Sequence, residues 1–287
     1  MKVYINGEIA DPGEARVSLF DRGLAFGDGL YETMRVYNGR IFALENHLDR
    51  MRSGCSLLRL RVRTSENYWR PKIYDLLSLN GLRERHARVR ITITRGPALD
   101  LAAASQTLPT EAIVVLPIDE EGLKKRWETG SRAIIAAMRR PPDSAMYRIK
   151  TLNMLPTVLA RLECGDWSAD EAFFLNTNEE LCSATFSNVF LVKDGALITP
   201  ALDSPCIPGI TRFHVMALAA RHKMETSERP VHRDEILLVD EIFTTSSITE
   251  ITPVVNMDGT CIRDGKPGPI TRQMQQWWRE HIAKTIA

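Results

Sequence analysis

The chain has 287 residues, of which 44% are apolar and 25% charged, with 37 Lys and Arg against 36 Asp and Glu. This length and composition suit one large or two ordinary globular domains, and exclude disordered, collagen-like and disulfide-stapled mini-protein classes. A net charge of +1 gives no electrostatic drive toward nucleic acid or an acidic membrane surface, so neither is expected as a partner.

The first residues, Met1-Lys2-Val3-Tyr4-Ile5-Asn6-Gly7, read as a short strand entering a turn and carry no apolar signal core. Asn6-Gly7 is a hairpin dipeptide, so residues 1–9 are expected to fold back on themselves. A glycine-rich stretch runs from Asp21-Arg22-Gly23 to Gly27-Asp28-Gly29. It fails the dinucleotide fingerprint, because the next segment, Tyr31 to Tyr37, alternates as a strand where a helix would be required. Its plain reading is a tight chain reversal. Asn38-Gly39 closes that strand with a second turn. Leu44, Leu48, Met51, Cys55 and Leu58 fall at helical spacing, and Ser65 opens a second helix that ends near Gly81. Strands are expected at 88–94 and 112–116, which makes the first half an α+β pattern.

Pro117 to Trp127, with its proline and its Asp119-Glu120-Glu121 charges, reads as the domain boundary. The expected division is an N-terminal α+β domain over 1–120 and a second domain over 121–287. Strands follow at 132–138, 171–175, 188–192, 196–199, 243–245 and 253–257, and helices at 155–164, 210–221 and 269–285. Such an irregular mixture argues against a TIM barrel or a doubly wound sheet. No run of roughly 18 apolar residues occurs, so no transmembrane helix is expected. The five cysteines, Cys55, Cys164, Cys182, Cys206 and Cys261, contain no Cys-x-x-Cys pair, and the six histidines are scattered. Neither a disulfide framework nor a metal site is expected, and a reducing cytoplasm is the expected compartment.

Three further segments carry chemistry-bearing residues. Lys150 lies between apolar neighbours in Tyr147-Arg148-Ile149-Lys150-Thr151-Leu152-Asn153. Burial would give it the neutral amine that imine formation needs; solvated, it is an ordinary strand-end lysine. Pro208-Gly209-Ile210-Thr211-Arg212 opens a helix whose N-terminal N–H groups suit a phosphate, or it is simply a helix start. Thr244-Thr245-Ser246-Ser247-Ile248-Thr249-Glu250 offers a run of hydroxyls to an anion, or forms a Ser/Thr-rich loop.

In order and spacing, these stretches together resemble the class IV aminotransferases. These are fold-type IV pyridoxal-phosphate enzymes that include branched-chain and D-amino-acid aminotransferases and aminodeoxychorismate lyases. The match also takes in His47-Leu48-Asp49-Arg50-Met51, Ser187-Asn188-Val189-Phe190 and Thr249-Glu250-Ile251-Thr252-Pro253-Val254, and so covers nearly the whole chain.

The resemblance implies a two-domain α+β fold with pyridoxal 5′-phosphate in the cleft between domains, a homodimer, and amino acid and 2-oxo acid substrates. It implies that Lys150 forms the Schiff base and moves the proton at the substrate Cα. Arg50 falls where the family binds the cofactor phosphate, which suits a guanidinium. The backbone N–H groups of Ile210 and Thr211, with Ser246 and Ser247, would complete that phosphate cup. Tyr31 and Arg35 would face the substrate. Arg95 would contact a carboxylate or form a structural ion pair.

The chain departs from the family pattern at two places. Five residues before Asn188, where the family carries a glutamate for the pyridine nitrogen, stands Ser183, with Glu179 and Glu180 displaced by three or four residues. A serine cannot hold the ring proton by charge, which weakens the electron sink and is a smaller handicap for β-elimination. An aminodeoxychorismate-type lyase is therefore the alternative to transamination, and a non-catalytic relative the second. The other departure is Gly96-Pro97-Ala98-Leu99-Asp100-Leu101-Ala102, which lacks the Arg-x-His carboxylate trap of many D-amino-acid aminotransferases. This Ala-rich loop is expected to line an apolar pocket or a dimer contact.

Overall fold

The structure is a computed structural model that describes residues 1–98, 100 and 108–286; Leu99 and residues 101–107, most of the Ala-rich loop, lie outside the described residues. In chain order the strands and helices are β1 (Val3–Ile5), β2 (Glu8–Ala10), α1 (Arg22–Phe26), β3 (Gly29–Tyr37), β4 (Arg40–Ile41), α2 (Leu44–Leu57), α3 (Glu66–Leu79), β5 (Ala87–Thr94) and β6 (Thr110–Pro117). They continue with α4 (Glu120–Thr129), β7 (Ser131–Arg140), α5 (Leu155–Asp166), β8 (Glu171–Asn176), β9 (Leu181–Ala184), β10 (Asn188–Lys193) and β11 (Ala196–Thr199). The last are α6 (Ile210–Arg221), β12 (Thr226–Glu228), β13 (Glu241–Ser246), β14 (Glu250–Met257), β15 (Thr260–Cys261) and α7 (Pro269–Thr285).

Two compact units result. The first is Met1–Ile118 with Ile149–Asn153 and Ile286; the second is Asp119–Arg148 with Met154–Thr285. The contact pattern thus groups Lys150 with the N-terminal part of the chain, whereas the sequence reading had put it in 121–287.

The first unit is a six-stranded antiparallel sheet in the order β2-β1-β6-β5-β3-β4. The Asn6-Gly7 and Asn38-Gly39 turns have positive φ at all four residues, as tight hairpins require. Leu30, Met34 and Val36 of β3 share a core with Leu44, Leu48, Met51 and Cys55 of α2 and Trp69, Ile73 and Leu76 of α3. The expected alternation of β3 is absent from its burial, since all but one of its nine residues are buried. Its other face carries Tyr31, Arg35 and Tyr37.

The second unit is a nine-stranded mixed sheet ordered β12-β11-β10-β13-β14-β7-β8-β9, with β15 on β14. Residues of opposite parity feed two cores. Ala133, Phe173 and Leu175 join one; Ile134, Ala136, Ala172 and Phe174 join the other, with Ala160 and Cys164 of α5. Sequence reading missed α1, α4, β4, β9, β12 and β15, mostly short elements; α4 occupies the stretch read as a boundary.

Candidate functional site

Lys150 is positioned by a backbone clasp. β4 covers only Val36 and Tyr37 of β3, and the segment holding Lys150 takes up the start of the same edge. Tyr31 N–H donates to the Lys150 carbonyl at 2.9 Å and Leu152 N–H to the Gly29 carbonyl at 3.0 Å, with Leu30 facing Thr151. Asn153 Nδ2 donates to the Gly27 carbonyl at 3.2 Å. A Cβ on Gly29 would lie 2.4 Å from the Ile93 carbonyl oxygen of β5 and 2.8 Å from Leu152 Cδ1, so the close approach of the neighbouring β5 backbone requires glycine, and Leu152 packs over the same bare position. The glycine-rich stretch is therefore not a phosphate loop. Its Asp21 caps α1 through Gly23 N–H and accepts from Thr94 and Thr110, and Asp28 pairs with Arg22 and Arg95.

Clasped in this way, the Lys150 amine stands 4.4 Å from the Tyr31 ring centroid. Burial, reinforced by the positive charge of Arg50, pushes its pKa down to about 8, although Glu32 opposes the shift. Most of the amine stays charged near physiological pH, but its neutral fraction rises to roughly a fifth at pH 7.4, from about a thousandth for an ordinary lysine. Arg90 of β5 lies 3.9 Å from the Tyr31 ring centroid, on the same sheet face.

Arg50 is fixed by a carboxylate that the sequence reading missed. Its Nε and Nη2 donate to Glu32 Oε1 and Oε2 at 2.8 and 2.7 Å, and His47 Nδ1 meets Glu32 Oε2 at 2.8 Å. Burial alone would raise the Glu32 pKa, but the Arg50 charge and these hydrogen bonds hold it far below the usual carboxylate range. Burial pushes His47 down, so the ring is neutral and donates from Nδ1 to the ionised Glu32. Glu32 was detectable as the one acid among Leu30, Met34 and Val36 on the core side of β3.

The candidate phosphate residues meet at one corner of the second unit. Asn188 opens β10 opposite Thr245 of β13, and its Nδ2 donates to the Ile207 carbonyl at 2.9 Å. Gly209 is the N-cap of α6 and offers no side-chain cap, so the first-turn N–H groups, those of Ile210 and Thr211 among them, have no partner within the helix. A Cβ on Gly209 would fall 1.9 Å from Asn188 Oδ1. Beside this corner, β13 ends at Ser246, whose hydroxyl pairs with Thr249 at 2.8 Å and accepts Thr249 N–H. Thr245 Oγ1, buried at the same place, has no hydrogen-bond partner. Uncapped N–H groups and an unpartnered hydroxyl are the donor set an anion needs.

Ser183 is buried on β9, and its partner is Arg140, whose Nη1 donates to Ser183 Oγ at 2.7 Å. Neither nearby glutamate replaces the missing one: Glu179 binds Arg139 and Glu180 accepts from Asn176. Of the remaining expected residues, Arg35 is buried with its guanidinium 4.7 Å from the Tyr37 ring centroid. Arg95 donates to Asp28 at 2.8 and 3.0 Å and to the Leu58 carbonyl at 2.7 Å. Among the described residues, no cluster of His, Cys, Asp and Glu could hold a metal.

A lysine amine with a lowered pKa suits imine formation, and the anion corner of the second unit suits a phosphate. Comparison with known proteins gives the class. The model of the class IV aminotransferase family matches residues 29–257. A putative branched-chain-amino-acid aminotransferase of Methanocaldococcus jannaschii is 33% identical over 282 residues, 98% of this chain and 96% of that protein. A D-alanine aminotransferase of Bacillus licheniformis is 31% identical over 292 residues, covering 100% of each chain. Among solved structures, the branched-chain aminotransferase of Escherichia coli superposes with a TM-score of 0.89 at 26% identity, over 97% of this chain and 93% of that one. The 4-amino-4-deoxychorismate lyase of Pseudomonas aeruginosa does so with a TM-score of 0.84 at 29% identity, over 97% and 98%.

The chain belongs to the class IV aminotransferase family and has its two-domain fold. It is a pyridoxal-phosphate-dependent aminotransferase. Among the described residues, no helix is long and apolar enough to cross a membrane.

Proposed function

We propose that this chain moves an amino group from an amino acid to a 2-oxo acid, with Lys150 as the catalytic residue and the second unit's anion corner as the phosphate site. When bound, pyridoxal phosphate supplies a carbonyl that takes up the amino group and a ring that delocalises charge left at the substrate carbon. The observation that carries the assignment is the Lys150 amine, held by backbone bonds to β3 and depressed to about 8. With the cofactor bound, the neutral Nζ would hold its carbonyl carbon, and the amine would take the proton from the substrate Cα and return it.

Ile210 and Thr211 N–H groups, with Ser246 and Ser247, would hold phosphate oxygens, and Arg50, oriented by Glu32, would supply a guanidinium for the cofactor phosphate. Tyr31 and Arg35 face the substrate from the outer side of β3. Arg90, beside Tyr31, supplies a cation for the substrate carboxylate, and Arg95 serves the loop through Asp28. Ser183 would face the ring nitrogen.

Two coarser features complete the reading. α5 exposes Leu155, Val158, Leu159 and Leu162, one stripe at helical spacing, which supports a homodimer. Five free cysteines, four of them buried, support a reducing, cytoplasmic setting. The test is a half-reaction with a panel of L- and D-amino acids. Formation of pyridoxamine phosphate with some donor supports the aminotransferase. Pyruvate release from aminodeoxychorismate without it assigns the lyase, the reading that loss of the ring-nitrogen carboxylate at Ser183 favours.

A further inference from the structure

We propose that Arg140, acting through the Ser183 hydroxyl, keeps the cofactor's ring nitrogen unprotonated; this rests on the reading that the nitrogen lies against Ser183. Arg140 is 6% exposed and has no carboxylate partner among the described residues. Its Nη1 donates to Ser183 Oγ at 2.7 Å and to the Pro205 carbonyl at 3.0 Å. The guanidinium lies 3.9 Å from the Phe174 ring centroid and 4.7 Å from that of Tyr147, and its Nε is buried without a hydrogen bond. The titratable groups around it are Cys182, Cys206 and Tyr147. Burial raises both thiols, Cys182 to about 12, so neither supplies a counter-charge. The neighbouring Arg139 shows the contrast, for it is paired with Glu179.

A buried guanidinium without an anion sets the polarity of whatever shares its hydrogen-bonded oxygen. Arg140 fills one lone pair of Ser183 Oγ, so the hydroxyl proton must point away from it, and it points to the Ala184 carbonyl at 2.9 Å. That proton can turn to the lone pair of a neutral pyridine nitrogen. A protonated nitrogen on the same oxygen would bring a second positive charge close to the guanidinium in a water-poor setting, where like charges repel strongly. The carboxylate that would reverse this preference is absent. Arg140 is thus a positioning residue that fixes the direction of the Ser183 hydroxyl. A neutral ring withdraws electrons weakly, so the site favours substrates whose own leaving group or conjugation takes up the charge at Cα.

The experiment is ¹⁵N NMR of holoenzyme carrying pyridoxal phosphate labelled at the ring nitrogen, because pyridine and pyridinium nitrogens resonate far apart. Borohydride reduction and peptide mass spectrometry first establish attachment at Lys150. A pyridine-type signal at neutral pH is expected in the unaltered protein, and a pyridinium-type signal overturns the inference while leaving the site reading intact. Absence of the Lys150 adduct overturns the site reading, and this inference with it. Arg140→Met should raise the nitrogen's protonation midpoint by about one pH unit or more, a tenfold shift in proton affinity. An unchanged midpoint removes Arg140 from the account. Should that variant not fold, Ser183→Ala, which breaks the link from guanidinium to nitrogen, must move the signal in the unaltered Arg140 background, and a static signal has the same meaning.

Discussion

Arg50 in the first unit and Arg140 in the second are both largely buried guanidiniums, yet the protein balances them in opposite ways. Arg50 makes a two-point pair with Glu32, which also takes His47, so its orientation is set before any ligand arrives. Arg140 meets only a hydroxyl, a carbonyl and two aromatic rings. A preset cation recognises a fixed anion; an unbalanced one imposes its sign on a neighbouring group. Breaking a buried pair leaves a stranded charge and is expensive, whereas deleting an unpaired cation strands no charge and costs only its hydrogen bonds.

The largest effect expected is at the lysine beside Arg50. Lys150→Ala should remove covalent attachment and slow the half-reaction by roughly 10⁴-fold or more, read as loss of the borohydride adduct and in single-turnover kinetics. Glu32→Gln should destabilise the apoprotein by about 3 kcal/mol in urea unfolding. It should also lower the pH midpoint of cofactor attachment, since Glu32 raises the Lys150 pKa.

The amine itself sets a pH window. Its folded pKa of about 8 lies below the ordinary value of 10.5, so the unfolded chain binds more protons between these values. Apoprotein stability should therefore rise with pH from about 8 toward 10.5, by roughly 3 kcal/mol, with the full penalty present below about 8. Lys150→Met should flatten that rise, and an unchanged profile would refute the depressed amine. Arg140→Met should cost only about 1 kcal/mol, mostly lost hydrogen bonds. A loss as large as that of Glu32→Gln would erase the contrast between the two arginines. At the small end, Arg52→Ala breaks the exposed pair with Asp49 and should change stability by no more than about 0.5 kcal/mol.

Local signals made much of the fold legible. Asn-Gly turns, the stripe of α2 and the Ser65 start of α3 each encode their element within a few residues. The candidate site was less so. Glu32 and His47 had a signal, since each is a polar residue on an otherwise apolar face, Glu32 beside Leu30 and Met34, His47 beside Leu44, Leu48 and Met51. Arg140 and Arg90 had none. Each lies among other strand arginines, and what distinguishes it is a partner brought close only by tertiary folding, Ser183 for one and Tyr31 for the other. Gly29 was seen as a turn residue, although its absent side chain answers first to the Ile93 carbonyl of β5 and then to Leu152, both far along the chain.

That long-range clasp bears on how the protein is made. Met1–Ile118 contains all six strands of the first sheet, yet the start of the β3 edge receives its covering only when Ile149–Asn153 leaves the ribosome. At a synthesis rate of ~5–20 residues per second the roughly 30 intervening residues take a few seconds. During that interval the nascent sheet presents unpaired backbone groups next to Tyr31, an opening for chaperones or for pairing with a neighbouring nascent chain.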